Sequence, residues 1–153
     1  MYTEKDIKEI VARQRAFFNS GTTLDVSWRI EQLKILRKAI EDHEEDMVEA
    51  LRLDLGRHPM EGYFCDIGPV IMEINETIAG LKKWARPEIH FSGLTCFPSL
   101  ITKVYKAPYG VTLIISPFNF PFMLSFGVLL AAIAGAIRRS SRLPASPASA
   151  RLY

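Results

Sequence analysis

Cysteine is scarce in this chain. The 153 residues hold two, Cys65 and Cys96, 31 positions apart, with no CxxC pair and no histidine at ligand spacing. Such usage argues against a disulfide framework and against a metal site, and it points to a reducing, cytoplasmic setting. A surplus of one charge is missing too: 19 basic residues stand against 17 acidic ones. Composition therefore gives no reason to expect nucleic acid as a partner. The N-terminus, MYTEKDIKEIVARQ, is polar and amphipathic and lacks the apolar core of a secretion signal. No GxGxxG fingerprint occurs, and the 34 residues after Asn119 contain no Cys, Asp or Glu.

What is present is enough apolar material for a real core, 48% of residues. The first part of the chain reads as three helices. Ile7, Ile10, Val11, Phe17 and Phe18 fall near helical spacing, and Asn19-Ser20-Gly21 ends the run, giving a helix over 4–19. Asp25 or Ser27 can cap a second helix whose apolar face runs Ile30, Leu33, Leu36, Ile40, Met47 and Leu51 until Gly56. Its acidic cluster, Glu41, Asp42, Glu44, Glu45 and Asp46, lies opposite that stripe and reads as a solvated face. Behind Pro59, the residues Phe64, Ile67, Ile71, Ile74, Ile78, Leu81 and Ala85 alternate spacings of three and four, a third and long helix. Gly68-Pro69 should bend it, because proline removes a donor and crowds the preceding turn. Cys65 lies beside the stripe, where a buried and inert thiol is expected.

From Ser99 the texture changes. Residues 100–106 are β-branched and aromatic with loose alternation, Pro108-Tyr109-Gly110 breaks them, and residues 111–115 form a short apolar run typical of a strand covered on both faces. After Pro121 a stretch with no charge, FMLSFGVLLAAIAGAI, reads as a buried helix, so strand, turn and helix make half of a βαβ unit. The tail, RRSSRLPASPASARLY, has no apolar periodicity and is expected to be disordered, with no second strand. Residues 107–137 carry no charge and are followed by Arg138-Arg139, which admits a membrane reading. Against it, Pro108, Pro117, Asn119 and Pro121 interrupt the first half and leave only 16 residues, 122–137, unbroken.

The segment Lys106-Ala107-Pro108-Tyr109-Gly110-Val111-Thr112-Leu113-Ile114-Ile115-Ser116-Pro117-Phe118-Asn119-Phe120-Pro121-Phe122 resembles an early block of the aldehyde dehydrogenases. That family writes Pro-x-Gly-Val, an apolar strand, then Pro-Trp-Asn-[Tyr/Phe]-Pro and a helix of small residues. Arg13-Gln14-Arg15-Ala16-Phe17-Phe18, Arg29-Ile30-Glu31-Gln32-Leu33 and Asp54-Leu55-Gly56 look like its class 3, fatty-aldehyde-type branch. One departure stands inside the block: Phe118 occupies the usual Trp position, keeping an aromatic wall and losing an indole donor. The match stops after Gly135.

Asn119, read by itself between two prolines, is an Asx turn. The resemblance implies a catalytic role instead: in the family this amide donates to the oxyanion formed when a cysteine thiolate attacks an aldehyde carbonyl. It further implies that Ile115, Ser116, Pro117 and Phe118 border the nicotinamide of NAD or NADP, and that an intact homologue is a homodimer oxidising aldehydes to carboxylic acids. The family's nucleophilic cysteine and basic glutamate both lie far downstream of this asparagine. The expected organisation is thus α/β: a helical region over 1–98, the first strand and helix of an incomplete Rossmann-like NAD(P)-binding domain over 99–137, and a non-family tail over 138–153. The expected function is a truncated NAD(P)-dependent aldehyde dehydrogenase, inactive as this chain. Two alternatives remain at this stage, a helical module that associates with an intact dehydrogenase subunit and a small membrane-attached protein.

Overall fold

A computed structural model describes residues 3–91, 93–136 and 138–142. Helix α1 (Glu4–Asn19) begins in a reciprocal capping box, in which Thr3 and Asp6 each bond the other's backbone N–H. Helix α2 (Val26–Asp42) starts at Asp25, whose carboxylate accepts from the Ser27 N–H at 2.9 Å, so the cap falls on the first of the two expected candidates.

The single second helix expected from the sequence is two helices. Its apolar phase carries through, but the axis breaks at His43, which closes α2 and opens α3 (Glu44–Leu55). His43 Nδ1 lies 2.9 Å from the Ala39 carbonyl, while its own carbonyl accepts from Met47 N–H. Glu44, Glu45 and Asp46 then occupy the first turn of α3, where negative charge meets the positive end of the peptide dipoles. The acidic cluster therefore has a local structural use. Gly56 ends α3 at φ 67°, a left-handed turn that a side chain would strain.

The expected third helix is also segmented. A short α4 (Pro59–Gly62) leads into one π-helical turn, Tyr63–Ile67, and then α5 (Gly68–Trp84). In that turn the Gly68 N–H reaches the Tyr63 carbonyl, five residues back, so the wider register accommodates Pro69 where a kink was anticipated. The register shift also corrects two assignments. Tyr63 packs against the core while Phe64 is 66% exposed, and Cys65 is only half-buried.

Strands β1 (Glu88–Phe91) and β2 (Ile101–Val104) form an antiparallel ribbon, exposed throughout, in which β1 was not anticipated. Strand β3 (Val111–Ile115) is followed by helix α6 (Pro121–Ala134) and by β4 (Arg138–Arg142), which pairs parallel to β3 from Val111↔Arg138 to Ile115↔Arg142. This overturns the expectation that the tail supplies no strand, over those five residues; 143–153 lie outside the described residues. The pairing asks only for an extended backbone and a crossover long enough to return, and α6 provides the crossover. Side-chain periodicity, on which the expectation rested, carries no information about such a strand.

The β3–β4 pair lies between α1 and α6, while α2 and α5 pack on each other and on α6. Leu33, Ile40, Met47 and Leu51 from α2 and α3 meet Ile67, Val70, Ile74 and Leu81 from the π turn and α5, and α6 adds Phe122 and Leu130. No helix among the described residues is long and apolar enough to cross a membrane.

Ile74 has no exposed surface, whereas Glu76, two residues on, faces solvent. Ile74→Ala should cost about 2–5 kcal/mol, and Glu76→Gln should stay within about 0.5 kcal/mol. Urea midpoints measured on both variants check this; equal losses would show the phase of α5 to be misassigned.

Candidate functional site

The five residues singled out for chemistry occupy the carboxyl end of β3 and the turn leading into α6. In an α/β arrangement this junction is where ligands gather. Ile115 and Phe118 are 77% and 73% exposed, Pro117 and Asn119 are exposed as well, and Ser116 is buried. The Ser116 hydroxyl has no hydrogen-bond partner among the described residues.

The side chain of Asn119 is exposed and makes no hydrogen bond among the described residues. What fastens the residue is its backbone: Arg57 Nη2 donates to the Asn119 carbonyl at 2.6 Å. The same guanidinium donates through Nη1 to Asp66 Oδ2 and covers the Phe120 ring, its central carbon 4.4 Å from the ring centroid. Asp66, fully buried, uses its second oxygen to accept from the Met123 N–H at 2.9 Å.

That last bond repairs a defect in α6. Its N-cap is Phe120, whose side chain cannot accept, and Pro121 follows at the first position. The carboxylate missing from the local sequence arrives from the π turn and sits at the positive end of the helix. The opposite end is treated in the complementary way. Arg29 Nη1 donates to the Ala134 carbonyl at 2.5 Å and Nη2 to the Leu24 carbonyl at 3.3 Å, placing positive charge at the C-terminus of α6. Burial pushes the Arg29 guanidinium below its ordinary value, with the nearby Asp25 carboxylate acting in the other direction. A helix with no charge of its own is thus held at both ends by charges from the first half of the chain.

The sequence reading found Asn119 and its neighbours and missed Arg57, Asp66 and Arg29. One signal was available. Asp66 is a lone acid beside Ile67 in an otherwise apolar run, and a buried acid demands a partner.

Against this geometry, the sequence model of the aldehyde dehydrogenase family matches residues 1–137. The chain belongs to that family. The 4,4'-diaponeurosporen-aldehyde dehydrogenase of Staphylococcus aureus is 46% identical over 122 residues, covering 78% of this chain and 26% of the relative. A dog aldehyde dehydrogenase, named as dimeric and NADP-preferring, is 36% identical over 133 residues, or 84% of this chain and 28% of its own length. Staphylococcus aureus AldH, solved in a substrate-bound state, superposes with a TM-score of 0.92 at 38% identity, over 99% of this chain and 32% of that one. Relatives named as members of aldehyde dehydrogenase family 3 stand among the matches, in keeping with the class 3 resemblance. The chain spans about a quarter to a third of the length of these relatives. Members of this dehydrogenase family bind NAD or NADP, and neighbours solved with each share the fold.

Asn119 and Arg29 should separate cleanly in stability. Asn119→Ala removes an exposed, unpartnered amide and should shift unfolding by no more than about 0.5 kcal/mol. Arg29→Met removes charged hydrogen bonds to two carbonyls and should cost about 1.5–3 kcal/mol. Thermal or urea unfolding of both dehydrogenase variants decides the matter, and a larger loss for Asn119→Ala would refute the assignment.

Proposed function

We propose that this segment supplies the oxyanion-stabilising donor and part of the nicotinamide border of an NAD(P)-dependent aldehyde dehydrogenase that oxidises aldehydes to carboxylic acids. Residues 1–98 serve as its helical region and 99–137 open its dinucleotide-binding domain, in a cytoplasmic enzyme that is a homodimer when whole. The observation that carries the reading is Asn119: exposed beyond the end of β3, with no side-chain hydrogen bond among the described residues, and held through its own backbone by Arg57.

In the reaction, a cysteine thiolate contributed by sequence outside this chain adds to the aldehyde carbonyl, and negative charge develops on the oxygen. An exposed side-chain amide on a turn fastened through its backbone can meet that charge with little reorganisation, which is where a hydrogen bond lowers a barrier most. NAD or NADP, bordered by Ile115, Ser116, Pro117 and Phe118, would supply the hydride acceptor. This chain's residues fit such a group at one edge. Ile115, Pro117 and Phe118 offer exposed surface for a planar ring, while the hydroxyl of Ser116 is buried and leaves only the backbone of that residue to border it. Phe118 supplies the aromatic wall without an indole donor, so it contributes contact and exclusion of water but no hydrogen bond.

The test is a chimera in which residues 1–137 replace the matching segment of the 46% identical relative. Asn119→Ala in that chimera should lower kcat by roughly a hundred- to a thousand-fold with KM little changed. The unmodified 153-residue chain alone should give no aldehyde-dependent reduction of NAD(P). A kcat loss of less than about tenfold would remove Asn119 from the oxyanion role.

A further inference from the structure

The turn that carries Asn119 has no means of its own to stay in place. It runs Pro117-Phe118-Asn119-Phe120, exposed along most of its length, between the last residue of β3 and an α6 N-terminus with no local cap. Its fastening comes from a remote part of the chain. Gly56 turns the backbone at φ 67° so that Arg57 leaves α3 facing the turn, and the π-helical Tyr63–Ile67 places Asp66 beneath it. Arg57 then holds the Asn119 carbonyl and covers the Phe120 ring, while Asp66 holds both Arg57 and the Met123 N–H.

We propose that Arg57 and Asp66 are positioning residues for the oxyanion donor: their ion pair fixes the Asn119 turn so that the side-chain amide is presented in one place. Three features favour a positioning role over simple stabilisation. The contacts converge on three residues within a five-residue stretch, Asn119, Phe120 and Met123, around the exposed Asn119 amide. Arg57 uses separate nitrogens for the carboxylate and for the Asn119 carbonyl, a fork geometry that lysine cannot match with a single nitrogen. Asp66 is divided between the guanidinium and the helix end, so a displacement at either contact is passed to the other. The inference rests on the reading of Asn119 given above, but its test does not.

The test is hydrogen exchange read by mass spectrometry on the full 153-residue chain, comparing a peptide covering residues 118–124 with peptides from α2 and α5. Arg57→Met keeps the length and removes the charge, and Asp66→Asn keeps an acceptor for Met123 while losing the ion pair. Both should raise exchange in 118–124 by roughly tenfold beyond any rise in the α2 and α5 peptides, as expected when a local opening loses a charged hydrogen bond. Arg57→Lys restores the charge but not the fork, and should recover only part of the protection. Unchanged exchange in 118–124 would overturn the proposal. So would a rise spread evenly over all peptides, which marks a structural role alone, or full protection in Arg57→Lys, which would show that the fork is not needed. Loss of local order together with an Asn119→Ala chimera of undiminished kcat would instead fault the catalytic reading and leave the positioning one standing.

Discussion

The Arg57–Asp66 pair ties the first half of this molecule to the second. Asp66 is completely buried and Arg57 nearly so, the side chains being 0% and 12% exposed. Taking two charges out of water costs several kcal/mol per ion, so such a pair persists only where further hydrogen bonds use the remaining donors and acceptors. Here they are used. One oxygen of the carboxylate serves the guanidinium and the other the end of α6, and the guanidinium spends its second nitrogen on the backbone of the Asn119 turn. Removing either partner would leave the other buried and unpaired, with the α6 terminus or the turn loosened as well.

Helix α6 explains why the fastening must come from elsewhere. It buries Phe122, Ser125, Leu130 and Ala132 and carries no charged residue, so no side chain of its own can answer the dipole at either end. Asp66 at one end and Arg29 at the other supply opposite charges from the helical region, which gives that region a definite task in the dehydrogenase fold. The strand–helix junction is thereby fastened just where the exposed Asn119 lies. Rigidity of this kind is what lets one hydrogen-bond donor contribute to a reaction barrier and not merely to binding.

Much of this was legible in the sequence. The boundaries of α1, the buried faces of α2, α3 and α5, the strand at Val111–Ile115 and the helix after Pro121 all follow from periodicity and from cap residues. The block around Asn119 points to the aldehyde dehydrogenases by its sequence alone. What escaped was of a different kind. The break at His43 leaves the apolar phase intact, so a pattern of spacing passes over it. The π turn shifts the register by one residue and exchanges Tyr63 for Phe64 at the core. β4 is an extended segment paired through backbone, with no hydrophobic alternation to announce it, and β1 alternates polar and apolar over only four residues, Glu88-Ile89-His90-Phe91. Arg57 and Asp66 are nine residues apart in sequence, and only the left-handed turn at Gly56 and the π turn bring them together beneath a loop more than fifty positions onward.

The central claim is that this buried pair acts as one unit, each member justified by the other. A double-mutant cycle of Arg57→Met and Asp66→Leu in the full chain, followed by urea unfolding, measures it directly. Each single substitution should cost about 3–5 kcal/mol, because it strands a buried charge. The double variant should lose less than the sum of the two by more than about 1 kcal/mol. Additivity within about 0.5 kcal/mol would show that the two residues act independently, and would contradict the account.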